Sequence, residues 1–143
     1  MRFHADGELP QGGEIFVFGS NAAGRHNSAD ALRAVRTFGA RLGVATGPMG
    51  QAYAIATHGR DLRPLPIMAV AAGIAQFLRH AASHPGQSFW ITRIGSEPEG
   101  HSEELIASYF LAAPDNCSFS EGWQPLLEPP PPRPDGPAFA CAA

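Results

Sequence analysis

Three stretches of this chain hold residues that could do chemistry together: "GSNAAGRHNS" from Gly19, "THGRD" from Thr57 and "GSEPEGH" from Gly95. Small residues such as Gly19, Ser20 and Gly24 let a ligand approach the backbone closely, and exposed amides at a helix start favour an anion. The same glycines also read as ordinary turn formers. Asn21 could read a base or ribose edge through its amide or position a water, and it could equally hold an Asx turn. His26, His58 and His101 fall one in each stretch, as acid, base or ligand if they converge and as separate surface histidines if they do not. No H-E-x-x-H or comparable spacing supports a metal site, and none is expected.

The elements that would position these loops alternate. Ile15 to Phe18 is a continuous apolar run between Gly13 and Gly19, which predicts a strand buried on both faces. Asn27 or Ser28 could cap the helix that follows, with Asp30 in its first turn, Ala31, Leu32, Val35, Phe38 and Leu42 at helical spacing, and Arg33 and Arg36 outward. The glycine-dense "RLGVATGPMGQ" ends that helix, and "AYAIAT" from Ala52 to Thr57 reads as a second buried strand. Beyond Pro64 and Pro66, Ile67, Val70, Ile74, Phe77, Leu78 and Ala81 form the stripe of a second helix. His80 and His84 near its end suit the helix dipole when charged.

"SFWITRIG" from Ser88 to Gly95 is a third strand, with Trp90 read as core or helix-covered sheet face and Tyr53 as core, though near a strand start it could stack on a ligand. Ser102 caps a third helix whose buried face is Leu105, Ile106, Tyr109 and Phe110, and "CSF" from Cys117 makes a short last strand. From Pro125 the proline-rich "PLLEPPPPRPDGPAFACAA" reads as an extended polyproline arm or as disorder. The expected division is an α/β domain over residues 1–124 and a proline-rich tail over 125–143. Alternating strands and helices predict a three-layer α/β/α arrangement with a mostly parallel central sheet. The three loops then share the rim at the strand ends, where ligands bind in open α/β sheets.

Composition removes several alternatives. The 143 residues suffice for one cored domain, and all ten basic residues are arginines, which excludes Schiff-base lysines and lysine-bearing P-loops. A net charge of −3 argues against bulk attraction to nucleic acid. Cys117 and Cys141 fit neither a disulfide framework nor a zinc spacing, and nothing resembles a signal peptide or a membrane span, so a cytoplasmic protein with no membrane partner is expected. No cofactor is implied.

"IFVFGSNAAGRH", "FGARLGVATGPMGQAYAIAT", "LPI", "HPGQSFWITRIG" and "IASYFLAAPDNC" together resemble a family of small prokaryotic and phage-encoded proteins related to macro domains. The likeness spans about residues 14–123, and its most specific element is "VFGSN" with Gly24 and His26 spaced after it. Macro domains bind ADP-ribose or related nucleotides above the strand ends, and some hydrolyse ADP-ribosyl bonds. The resemblance implies that Asn21 belongs to the first loop and that Gly95, Ser96 and Gly100 lie in a diphosphate loop. If the protein is a hydrolase, Asn21 would orient water with Asp30 or His26 as base, and Gly19, Ser20, Gly24, Thr57 and His58 would line the ligand.

The chain departs from that family's pattern at defined places. Where the family continues G-x-H-G-x-G-A-A, this chain has "GRHNSADAL"; the later I-G-C-G-L-A-G is "IGSEPEG", and an expected proline and lysine are Ala56 and His58. Glu97 and Glu99 put negative charge where a diphosphate would sit, which weakens an anionic nucleotide unless those carboxylates face solvent. Two further readings stay open. One is a non-enzymatic, phage-encoded inhibitor of a host defence system that uses a degenerate macro-like scaffold and its proline-rich arm to bind a host protein. The other is an RNA-end or nucleotide binder using Arg25, Arg60, Arg63 and Arg93.

Overall fold

The computed structural model describes residues 1–21, 29–41, 43–95 and 100–129. Within them one sheet holds β1 (Arg2–His4), β2 (Ile15–Asn21), β3 (Gly47–Met49), β4 (Ala52–His58), β5 (Phe89–Ile91) and β6 (Cys117–Ser120). The spatial order is β1-β6-β5-β2-β4-β3, parallel throughout except where β3 runs antiparallel to β4. Helices are α1 (Ala29–Thr37), α2 (Ile67–Ala82), α3 (Glu103–Ser108) and the short α4 (Gln124–Leu127).

Strand alternation sorts the core into two halves. Phe16 and Phe18 join Ala31 and Ala34 of α1 with Ala52 and Ala54 of β4. Val17, Tyr53 and Ile55 point the other way, into Val70, Ile74 and Phe77 of α2 and Ile106 of α3. Helices therefore lie on both faces of a mostly parallel sheet, the three-layer α/β/α arrangement that the alternating pattern predicts. Each fully buried Phe or Ile in these clusters contributes about 1.5–3 kcal/mol, so the two halves lock the strand ends that carry the loops.

Several elements differ from the expectations. β2 does not stop at Phe18: Gly19 and Ser20 pair with Ile55 and Ala56, so the first residues of the expected loop are strand. β5 is shorter than expected, because Thr92 turns both its amide (3.1 Å) and its Oγ1 (2.8 Å) onto Val17 O and the chain then leaves the sheet. β1 and β3 were not anticipated; each has three residues, and β3 holds Pro48, which only an edge strand accommodates.

The side chains show further differences. Leu32 and Leu105 are exposed instead of facing the core, and the face of α3 is carried by Ile106 and Ala107. Ser102 caps α3 as expected, its Oγ accepting from Leu105 N at 3.2 Å. The arm expected from Pro125 begins instead with α4, where Pro125 sits in the first turn at no hydrogen-bond cost and Leu127 is buried in the larger core. Leu42 lies outside the described residues.

The two expected core aromatics are held differently. Tyr53 is buried edge-on to Phe77 at 5.0 Å. Trp90 is half-buried, stacks on His4 at 3.9 Å and donates its indole N–H to Glu8 O at 3.0 Å. His80 stacks on His84 at 4.1 Å and packs near Tyr53 and Phe89, so burial and the neighbouring His84 hold its pKa below the usual histidine value. The expected benefit of a charged His80 at the helix end is thus opposed by desolvation. Cys117 is a buried free thiol whose pKa burial pushes up to about 12.

Candidate functional site

Parallel pairing sets the ends of β2 and β4 side by side. Asn21 pairs with His58 across an irregularity that leaves Thr57 as the extra residue of β4. Asn21, Ser20 and Thr57 are each at most 5% exposed, so their polar groups need partners inside the fold. Thr57 Oγ1 lies 2.9 Å from His58 Nδ1 and 3.3 Å from Ser20 O. Where that hydroxyl donates to Ser20 O, His58 donates to it through Nδ1. Ser20 Oγ donates to Ala45 O at 2.6 Å, which commits its hydrogen to holding the segment before β3.

The segment that follows β5 arrives on the same rim. Gly95 adopts φ +73°, and a Cβ there would lie 3.9 Å from Thr57 Cγ2 and 2.5 Å from Ile106 Cδ1. A side chain would therefore collide with α3 as well as strain the backbone. Gly19 faces the same corner, its ideal Cβ position 3.4 Å from both Thr57 Oγ1 and Ile94 Cγ2. His101, next to half-exposed Gly100, donates from Nε2 to Leu65 O at 2.6 Å, and Leu65 N in turn donates to Thr57 O at 2.9 Å. Gly19, Ser20, Asn21, Thr57, His58 and Gly95 thus meet at one corner, with His101 tied to it through Leu65.

The remaining expected site residues are of two kinds. Gly24, His26 and Ser96 lie outside the described residues, as do Arg25, Glu97 and Glu99. Asp30 borders a neighbouring cavity of about 200 Å³ whose lining includes His4, Trp90, Thr92, Arg93 and Ser120, and none of Asn21, Thr57 or His58. Among the described residues no three His, Cys, Asp or Glu side chains gather as a metal would require. Arg60 and Arg63 are exposed on a tight turn closed by Gly59 N to Arg63 O at 2.8 Å.

The sequence reading missed that second cavity because it missed β1. His4 pairs in register with Ser120, its Nδ1 2.7 Å from Ser118 Oγ, and burial holds its pKa below the usual value against the opposing charges of Glu8 and Asp6. The available signal was "RFHADG", another short strand run into a glycine turn, like the three loops already noted. Arg93, one of the four arginines of the RNA-end or nucleotide reading, is engaged within the fold: Glu103 grips it at 2.6 and 2.7 Å, lowering the carboxyl pKa and raising that of the guanidinium.

No protein-family model matches this chain, and no curated protein matches it. Its fold does have a solved counterpart: the macrodomain of Mycobacterium tuberculosis DarG superposes with a TM-score of 0.61 at 18% identity, over 84% of this chain and 97% of that one. The chain therefore has a macrodomain-like fold. Among the described residues no helix is long and apolar enough to cross a membrane.

Proposed function

We propose that this protein binds a nucleotide-derived ligand of the ADP-ribose type at the corner where β2 and β4 end. One observation carries the reading: Asn21 and His58 end adjacent parallel strands side by side, with the Cβ position of Gly95 3.9 Å from Thr57 Cγ2. That corner sits at the strand ends of a macrodomain-like sheet, where open α/β folds take ligands. Asn21 supplies an amide able to read a ribose or base edge, and the glycines leave room for a diphosphate near backbone amides.

Binding is better supported than turnover. A hydrolytic step would have Asn21 orient a water and would need a nearby proton acceptor. His58 is the register partner of Asn21 across β2 and β4, while Asp30 borders the adjoining cavity. His26 remains the other proposed base on its sequence position. Titration calorimetry with ADP-ribose, NAD and cyclic dinucleotides tests the reading, with Asn21→Ala as the variant expected to lose binding.

A further inference from the structure

Both ends of the connection from β5 to α3 are held by one ion pair. Arg93 follows β5 by two residues, Glu103 opens α3, and the guanidinium donates from Nε to Oε1 at 2.7 Å and from Nη2 to Oε2 at 2.6 Å. Two parallel bonds fix direction as well as distance, which a single contact does not.

The pair is also braced from outside. Trp123 Nε1 donates to Glu103 Oε1 at 3.2 Å, Arg93 Nη1 donates to Asp6 Oδ2 at 3.3 Å, and Gly122 N donates to Asp6 Oδ1 at 3.1 Å. A Cβ on Gly122 would stand 2.8 Å from Asp6 Oδ2 and 3.1 Å from Arg93 Nη1, so the cluster closes over a bare backbone. On its other side α3 meets the segment that follows β5, through Ile106 and Gly95. Arg93 and Glu103 remain 39% and 30% exposed, so the pair contributes little to global stability; its effect is on geometry.

We propose that Arg93 and Glu103 are positioning residues of the rim site, closing the base of the β5 to α3 connection so that Gly95 stays against Thr57 and His101 stays on Leu65. The proposal rests on the ligand reading above only for its consequence; the clamp itself can be tested without ligand.

Amide hydrogen exchange at Gly95, Gly100 and His101 is measured in the full chain for Glu103→Gln, for Arg93→Lys and for Ile74→Val, a core variant on α2 that lowers global stability without touching the pair. The expected result is exchange at these amides about tenfold faster in Glu103→Gln than in Ile74→Val, with Arg93→Lys recovering only part of the protection. Affinity for ADP-ribose should fall about tenfold in Glu103→Gln and hold in Ile74→Val.

Equal exchange in Glu103→Gln and Ile74→Val, complete protection in Arg93→Lys, or random-coil exchange in the unaltered protein would each overturn the clamp. Absence of ADP-ribose binding by the unaltered protein would instead overturn the ligand reading, leaving the exchange result to decide the positioning role.

Discussion

Asn21 and His58 face each other across β2 and β4 at the point where β4 spends one residue more than its partner, since Ser20 pairs with Ala56 and Asn21 with His58. Such an irregularity re-aims side chains at a strand end. Here it turns the Thr57 hydroxyl onto both Ser20 O and His58 Nδ1, so the ring orientation of His58 depends on the residue before it.

Thr57→Val keeps the shape of that side chain and removes its hydroxyl. It should cost about 1–2 kcal/mol by chemical denaturation, because a buried carbonyl loses its donor, and it should weaken ligand binding by releasing His58. Unchanged affinity in a variant with the expected loss of stability would separate His58 orientation from binding.

Gly95→Ala carries two penalties, a left-handed backbone and the collision with Ile106. A loss of about 1–3 kcal/mol is expected. Ile106→Val deletes the colliding Cδ1, so the double variant should lose less than the sum of the single ones. Strict additivity in urea melts would show that the close approach is not what selects glycine.

Burial lowers the pKa of both His4 and His80, against Glu8 and Asp6 at the first and reinforced by His84 at the second. The unfolded chain, with ordinary histidines near 6.5, then takes up protons first as pH falls. Stability from these groups is complete above pH 6.5 and declines as acidity passes from there down through the folded values. Denaturation midpoints between pH 8 and pH 5 should therefore decline, and His80→Gln should flatten the decline.

Much of the architecture was legible because it is written in long apolar runs. Ile15 to Phe18, Ala52 to Thr57 and the stripe from Ile67 to Ala81 each bury enough surface to impose their own structure. The short elements were not legible, since Arg2–His4 and Gly47–Met49 are strands only because β6 and β4 offer them partners. The same limit hid the His4 and Trp90 cavity. It also hid the engagement of Arg93, whose partner lies ten residues away across a loop. Of the candidate site, the approach of Gly19, Thr57 and Gly95 to one another is what strand alternation leads one to expect. The bulge that orients His58 is a matter of register, which side-chain patterning does not encode.

Glu97 and Glu99 give a sequence-based expectation of their own. Negative charge in the stretch between Gly95 and Gly100 opposes an anionic ligand, so Glu97→Gln combined with Glu99→Gln should tighten ADP-ribose binding by about tenfold, with a smaller salt dependence. No change in affinity or in its response to salt would mean that these carboxylates do not face the ligand.

The most direct test is calorimetric titration of ADP-ribose into the full chain, into Asn21→Ala, and into a version ending at residue 129, which keeps Leu127 in the core. Saturable binding by the full and shortened chains, abolished by Asn21→Ala with the fold intact by circular dichroism, is the predicted result. A folded protein giving no heat with ADP-ribose, or binding that survives Asn21→Ala, would contradict a ligand site at the ends of β2 and β4.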